Sequence, residues 1–161
     1  METGERLNAE SFARYRKSGG MVIAHSIPED VVKSTLADSI VIIASDGMLS
    51  GGKGHPRRTG SFARVLGKYV REENVISLEE AISKMTSFPA TRFGLHGKGL
   101  IKPGMDADLV LFNQDTVIDG ADFEDPIKPP RGVEYVLVNG KVAMVDNEFK
   151  DVREGRVLRR R

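Results

Sequence analysis

Hydrophobic and polar positions alternate with one rhythm in the first part of this 161-residue chain and with another in the last third. The stretch "ESFARYRKSG" (10–19) has helical spacing and stops at a glycine pair, a common helix terminator. "MVIAHSI" (21–27) is a short apolar run suited to a buried strand, and "PEDVVKSTLAD" (28–38) opens with proline and acids in the first turn of a helix. "SIVIIAS" (39–45) is apolar and β-branched at nearly every position, the pattern of a parallel strand covered on both faces. Together these predict a βαβ unit with right-handed crossover. Helices are expected next at 59–73 and at 77–87, where Ser77 and Glu80 have capping-box spacing.

From about residue 105 the period shortens. "DADLVLFN" (106–113), "TVID" (116–119) and "VEYVLVNGKVAMVDNEF" (133–149) read as short strands, as does "RVLR" near the end. Asn139-Gly140 is a hairpin signal, because both residues tolerate the positive φ of a type I′ turn. "FEDPIKPPRG" (123–132) carries three prolines and reads as a loop. The division predicted is an α/β segment over 1–104 and an all-β segment with a basic tail over 105–161. The α/β segment is incomplete as it stands, since a single βαβ unit has two open edges and two faces to cover.

Composition narrows the function classes. Lys plus Arg (24) and Asp plus Glu (23) leave a net charge of +1, so no global field draws nucleic acid or an anionic membrane. There is no cysteine, which removes disulfides and thiolate metal sites. The first twenty residues lack the apolar core of a signal peptide, and "IVIIA" (40–44) is far too short to span a bilayer. A cytoplasmic setting is expected. The five arginines from Arg153 onward read as a solvated tail.

In α/β proteins, sites form at the C-terminal ends of parallel strands, and His25 and Asp46 lie near two such ends. Asp46, just past a fully apolar strand and followed by Gly47, is placed to exchange a proton; it also reads as an ordinary Asp-Gly turn. Arg57, after Pro56, offers a planar fork for a carboxylate, or is a surface arginine. "GGKGHPRR" (51–58) lacks the spacing of a phosphate-binding loop. His25, His55 and His96 do not stand at the i, i+2 or i, i+4 spacings of local metal sites, and no complete site can be drawn from them. Asp106 and Asp108 read as turn residues, and Ser45 and Ser61 have no histidine-acid set beside them.

Taken in order, "ETGERLNAESFARYRKSGGMVIAHSI", "SDG", "GHPRRTGSFARVLGKYVREENVISLEEAISKMTSFPATRFGL", "KGLIKPGMDADLVLFN" and "VEYVLVNGKV" resemble the C-terminal part of the N-acyl-D-amino-acid deacylases, the D-aminoacylases of the amidohydrolase superfamily. "SDG" with "HPR", whose arginine stands eleven residues beyond the aspartate, is the specific part of the resemblance. It implies the last βα units of a metal-dependent (β/α)8 barrel followed by a small β-sandwich part, and hydrolysis of N-acyl-D-amino acids with zinc as cofactor.

The resemblance makes Asp46 the strand-eight aspartate that takes a proton from metal-bound water and passes it to the leaving amine. It makes Arg57 the group that binds the substrate α-carboxylate. His25 and His55 carry no firm role and are candidates to support the site from behind. The family's metal ligands lie upstream of the matching region, so none is assigned here, and the isolated chain is expected to be catalytically incompetent. A non-catalytic assembly module and one half of a split enzyme completed by another chain stay open beside this reading. Open strand edges imply a homo-oligomer or a missing barrel segment as partner.

Overall fold

The structure is a computed structural model that describes residues 5–19 and 22–159. Helix α1 (Ala9–Ser18) begins with a reciprocal cap: Asn8 Oδ1 accepts from the Ser11 amide at 2.8 Å, and Ser11 Oγ accepts from the Asn8 amide at 3.0 Å. It stops at Gly19, whose φ of 80° only glycine adopts without cost. Helix α2 (Glu29–Ala37) follows Pro28 and carries Glu29 and Asp30 in its first turn, where acids favour the helix dipole.

Among the described residues the βαβ unit is not formed. Met21 and Gly20 lie outside the described residues, and 22–27 belongs to no sheet. Ser39 and Ile40 form a turn closed by the Val41 amide to Asp38 O bond at 3.2 Å, and 41–45 belongs to no strand. The reason is physical: a strand is held by its ladder, and a parallel pair supplies ladders only when neighbours flank it. Among the described residues the 41–45 segment has one cross-bond, from the Ile43 amide to Lys84 O at 3.2 Å. Ile27 and Ile40 are left 70 % and 78 % exposed.

A two-residue hairpin, β1 (Leu49–Ser50) with β2 (Lys53–Gly54), then turns through Gly51 and Gly52, both at positive φ. It feeds helix α3 (Arg57–Arg64), which continues without a break as a π-helical segment, Val65–Glu72. A helix is thus present over most of the expected 59–73, but its second half is wound wider than an α-helix. Gly67 lies on that half directly against the backbone of Val117 and Ile118, where a Cβ would overlap them. Helix α4 (Leu78–Met85) is capped by Ser77 Oγ, which accepts from the Glu80 amide at 3.1 Å. Helix α5 (Ser87–Phe93) was not expected; its Pro89 sits in the first turn, where the missing N–H costs nothing.

The last third forms one antiparallel sheet in sequential order: β3 (Leu109–Phe112), β4 (Val133–Val138), β5 (Lys141–Val145) and β6 (Glu148–Phe149). Asn139 and Gly140 make the expected turn, with φ of 52° and 78°. "TVID" contributes only an isolated bridge between Ile118 and Arg131, and "RVLR" forms no strand among its described residues.

The core lies between the helices and this sheet. Leu36, Ala63, Val65, Leu66, Tyr69, Ile76 and Ala81 cluster with Val117, and Phe112 and Val133 pack against them. Lys84, 3 % exposed, is a buried charge; its Nζ donates to Asp38 O and pairs with Glu80 at 3.5 Å. Among the described residues no helix is long and apolar enough to cross a membrane.

Candidate functional site

Asp46 follows the apolar segment 41–45 with φ of 42°, a left-handed conformation that aspartate tolerates better than most side chains. Gly47 comes next because the chain passes over the start of α3: a side chain there would run into the backbone of Arg58. The β1–β2 hairpin then returns the chain, Pro56 opens the helix with φ of −59°, and Arg57 is its first residue. The two positions thereby meet at the neck of one loop.

Arg57 closes that neck with two bonds. Its Nε donates to Asp46 O at 2.8 Å, and its Nη2 donates to Asp46 Oδ2 at 3.2 Å. Both side chains face solvent, Asp46 at 92 % and Arg57 at 47 % exposure, so the ion pair adds little to stability. Its value is positional. An open carboxylate that can exchange a proton stands beside a planar donor group with N–H bonds to spare.

His55 supports Arg57 from the other side. Its Nδ1 accepts the Arg57 backbone N–H at 3.1 Å, which requires that nitrogen to be unprotonated. Burial holds the His55 imidazole below the ordinary histidine range, and the Arg57 guanidinium acts in the same direction.

The sequence offered no role for Phe123, and the structure puts it at this site. Its ring meets His25 edge to face at 4.6 Å between centroids and His55 likewise at 5.1 Å. The loop that carries it is tied down: Lys53 Nζ donates to Glu124 O at 3.1 Å, and Thr59 Oγ1 donates to Pro126 O at 2.7 Å. Asp122 Oδ1 accepts from the Glu124 and Asp125 amides at 2.9 and 2.7 Å. The signal available beforehand was one large aromatic among acids and prolines; it did not say what the ring would touch.

All four singled-out residues therefore gather in one place: Asp46 with Arg57, Arg57 with His55, and both His55 and His25 with Phe123. The others do not. Asp106 pairs with Lys98 at 2.9 Å and Asp108 pairs with the same ammonium, while Ser61 Oγ donates to Arg57 O at 2.7 Å within its own helix. Among the described residues no group of three or more His, Cys, Asp or Glu side chains could hold a metal ion. A zinc donor set does not fit on these residues alone.

Residues 17–144 match the family model described as amidohydrolase family, and the chain belongs to that family. Within it, the chain is 41 % identical over 138 residues to the N-acyl-D-glutamate deacylase of Alcaligenes xylosoxydans xylosoxydans, covering 86 % of this chain and 28 % of that protein. It is 42 % identical over 132 residues to the D-aminoacylase of the same organism, covering 82 % and 27 %.

Among solved structures it is similar to a D-aminoacylase studied for its binuclear metal center, with TM-score 0.76, 40 % identity and coverage of 78 % and 27 %. The N-acyl-D-glutamate deacylase of Bordetella bronchiseptica, complexed with zinc and a phosphonate mimic of the tetrahedral intermediate, gives TM-score 0.71, 42 % identity and coverage of 73 % and 25 %. The chain spans about a quarter of the length of these relatives.

Proposed function

We propose that this chain is the C-terminal part of a metal-dependent amidohydrolase that cleaves the amide bond of N-acyl-D-amino acids. Residues 1–104 would be the last βα units of the barrel, and 105–161 a β-sandwich segment. Asp46 transfers the proton that the departing amine nitrogen needs, and Arg57 binds the α-carboxylate of the substrate. The observation that carries this reading is the contact between Asp46 and Arg57: a proton carrier and a carboxylate fork share one open site, in a chain about 40 % identical to deacylases of N-acyl-D-amino acids.

The rest of the barrel has to come from elsewhere, as further chain, a split partner or a second copy. The exposed Ile27 and Ile40 and the unpaired 41–45 segment are the surface it would cover. The 161-residue chain alone is expected to turn over no N-acetyl-D-amino acid in zinc-supplemented buffer. Co-expression with the missing barrel strands is expected to restore activity. In that complex Asp46→Asn should lower kcat by about 10²–10⁴-fold, the usual weight of a positioned proton carrier. Arg57→Ala should act mainly on KM. Near-normal turnover by Asp46→Asn would remove the role given to that carboxylate.

A further inference from the structure

The site contains a group that proton transfer and carboxylate binding do not use. We propose that Phe123 is a positioning residue: from the sheet half of the chain it buttresses His55, and through His55 it sets the orientation of Arg57. The links are all on the same path. Phe123 packs edge to face on His55 at 5.1 Å, and His55 Nδ1 takes the Arg57 amide at 3.1 Å. The Arg57 guanidinium in turn reaches Asp46 O and Oδ2.

The geometry favours this role over simple core packing. Phe123 is 43 % exposed and stands outside the main hydrophobic cluster, so its ring is not needed to complete the core. Instead it is wedged between two imidazoles that arrive from distant parts of the chain, on a loop pinned to β2 by Lys53 and to α3 by Thr59. An apolar ring there keeps water from the His55 face and so keeps Nδ1 free to accept. An imidazolium carries hydrogen on both nitrogens and would lose the Arg57 amide bond. The sheet segment thus acts on the substrate clamp without touching substrate.

The consequence for substrate rests on the reading of Arg57 as the carboxylate-binding group, but the path itself is tested without substrate. Three forms of the full chain are compared by NMR: wild type, Phe123→Ala and Phe123→Tyr. The readouts are the titration of the histidine rings and hydrogen exchange at the Arg57 amide and Nε–H.

In Phe123→Ala, His55 is expected to titrate closer to the ordinary histidine value, and both Arg57 protons should exchange at least several-fold faster. Amides of Val117 and Met144 should keep wild-type protection, and Phe123→Tyr should restore the wild-type pattern. His55→Ala, with Phe123 intact, should free the same Arg57 amide, which keeps the test available even where Phe123→Ala is poorly folded.

Unchanged His55 titration and Arg57 exchange in folded Phe123→Ala would overturn the proposal. So would an Arg57 amide that stays protected in His55→Ala. If these links hold while Arg57→Ala leaves KM untouched in the active complex, the carboxylate role fails and the positioning path stands.

Discussion

Val117 is the point at which the sheet half of the chain enters the helical core, and its truncation gives the sharpest test of how the fold holds together. Its side chain is 1 % exposed and belongs to the same cluster as Leu66, Tyr69 and Ile76. Val117→Ala removes two methyl groups, about 1.6 kcal/mol at ~0.8 kcal/mol per buried carbon. An unrelaxed void of about 50 Å³ would add roughly 1 kcal/mol at ~24 cal/mol per Å³. The backbone around it is committed, with the Val117 amide on Asn113 O at 2.9 Å and the Arg71 guanidinium on Val117 O, so little collapse is available.

The expected loss is therefore about 2–3 kcal/mol, or a midpoint lower by roughly 5–10 °C for a domain of this size. The assay is thermal and urea unfolding followed by far-UV circular dichroism and by tyrosine fluorescence, since the chain has three tyrosines and no tryptophan. Tyr69 lies in the cluster and the dichroism reports the helices, so the two signals should move together. Val110→Ala, at a position 58 % exposed, should shift neither by more than about 0.5 kcal/mol. A loss below about 0.5 kcal/mol for Val117→Ala, or a helix signal that ignores it, would refute the idea of one shared core.

Two further outcomes follow from the geometry. Gly67→Ala would gain up to about 1 kcal/mol of helix propensity, but the new carbon meets backbone atoms of Val117 and Ile118 that cannot swing aside. Overpacking costs of about 1–3 kcal/mol should win, giving a net lower midpoint in urea unfolding; a stabilised variant would show that the close approach is not real. Because the folded-state pKa of His55 is lowered, the unfolded chain binds protons more readily between that value and 6.5. This contribution to stability is complete above about pH 6.5 and is lost as pH falls through the lowered value. Midpoints measured from pH 7.5 to 5 should decline below 6.5, and His55→Ala should decline less.

What could be read from the sequence was what neighbouring residues decide among themselves. The Gly19 stop, the Ser77 cap and the Asn139-Gly140 turn depend on a few adjacent residues, and each stands where the pattern put it. The apolar runs at 21–27 and 39–45 were a different kind of inference. Their pattern shows what a strand would bury but not whether a neighbour exists to pair with it, and here none does among the described residues. The wide winding of Val65–Glu72 was hidden for a related reason, since it accompanies contact with residues some fifty positions later. At the site, Asp46 and Arg57 were singled out separately for their chemistry. Their direct contact, and the insertion of Phe123 between His25 and His55, are products of the fold.

The closed neck between Asp46 and Arg57 also makes the hairpin beyond it a self-contained noose. Its tip, Gly51-Gly52, points into open space, with nothing within 4 Å of where a side chain would begin. Lengthening a loop whose ends are already clasped costs little, because closure entropy grows only logarithmically with length, about 0.6 kcal/mol per doubling. That tip is accordingly a port for a tag or a fluorophore-bearing insert. A probe placed there would sit one short hairpin from the guanidinium and the carboxylate without entering the bonds that hold them.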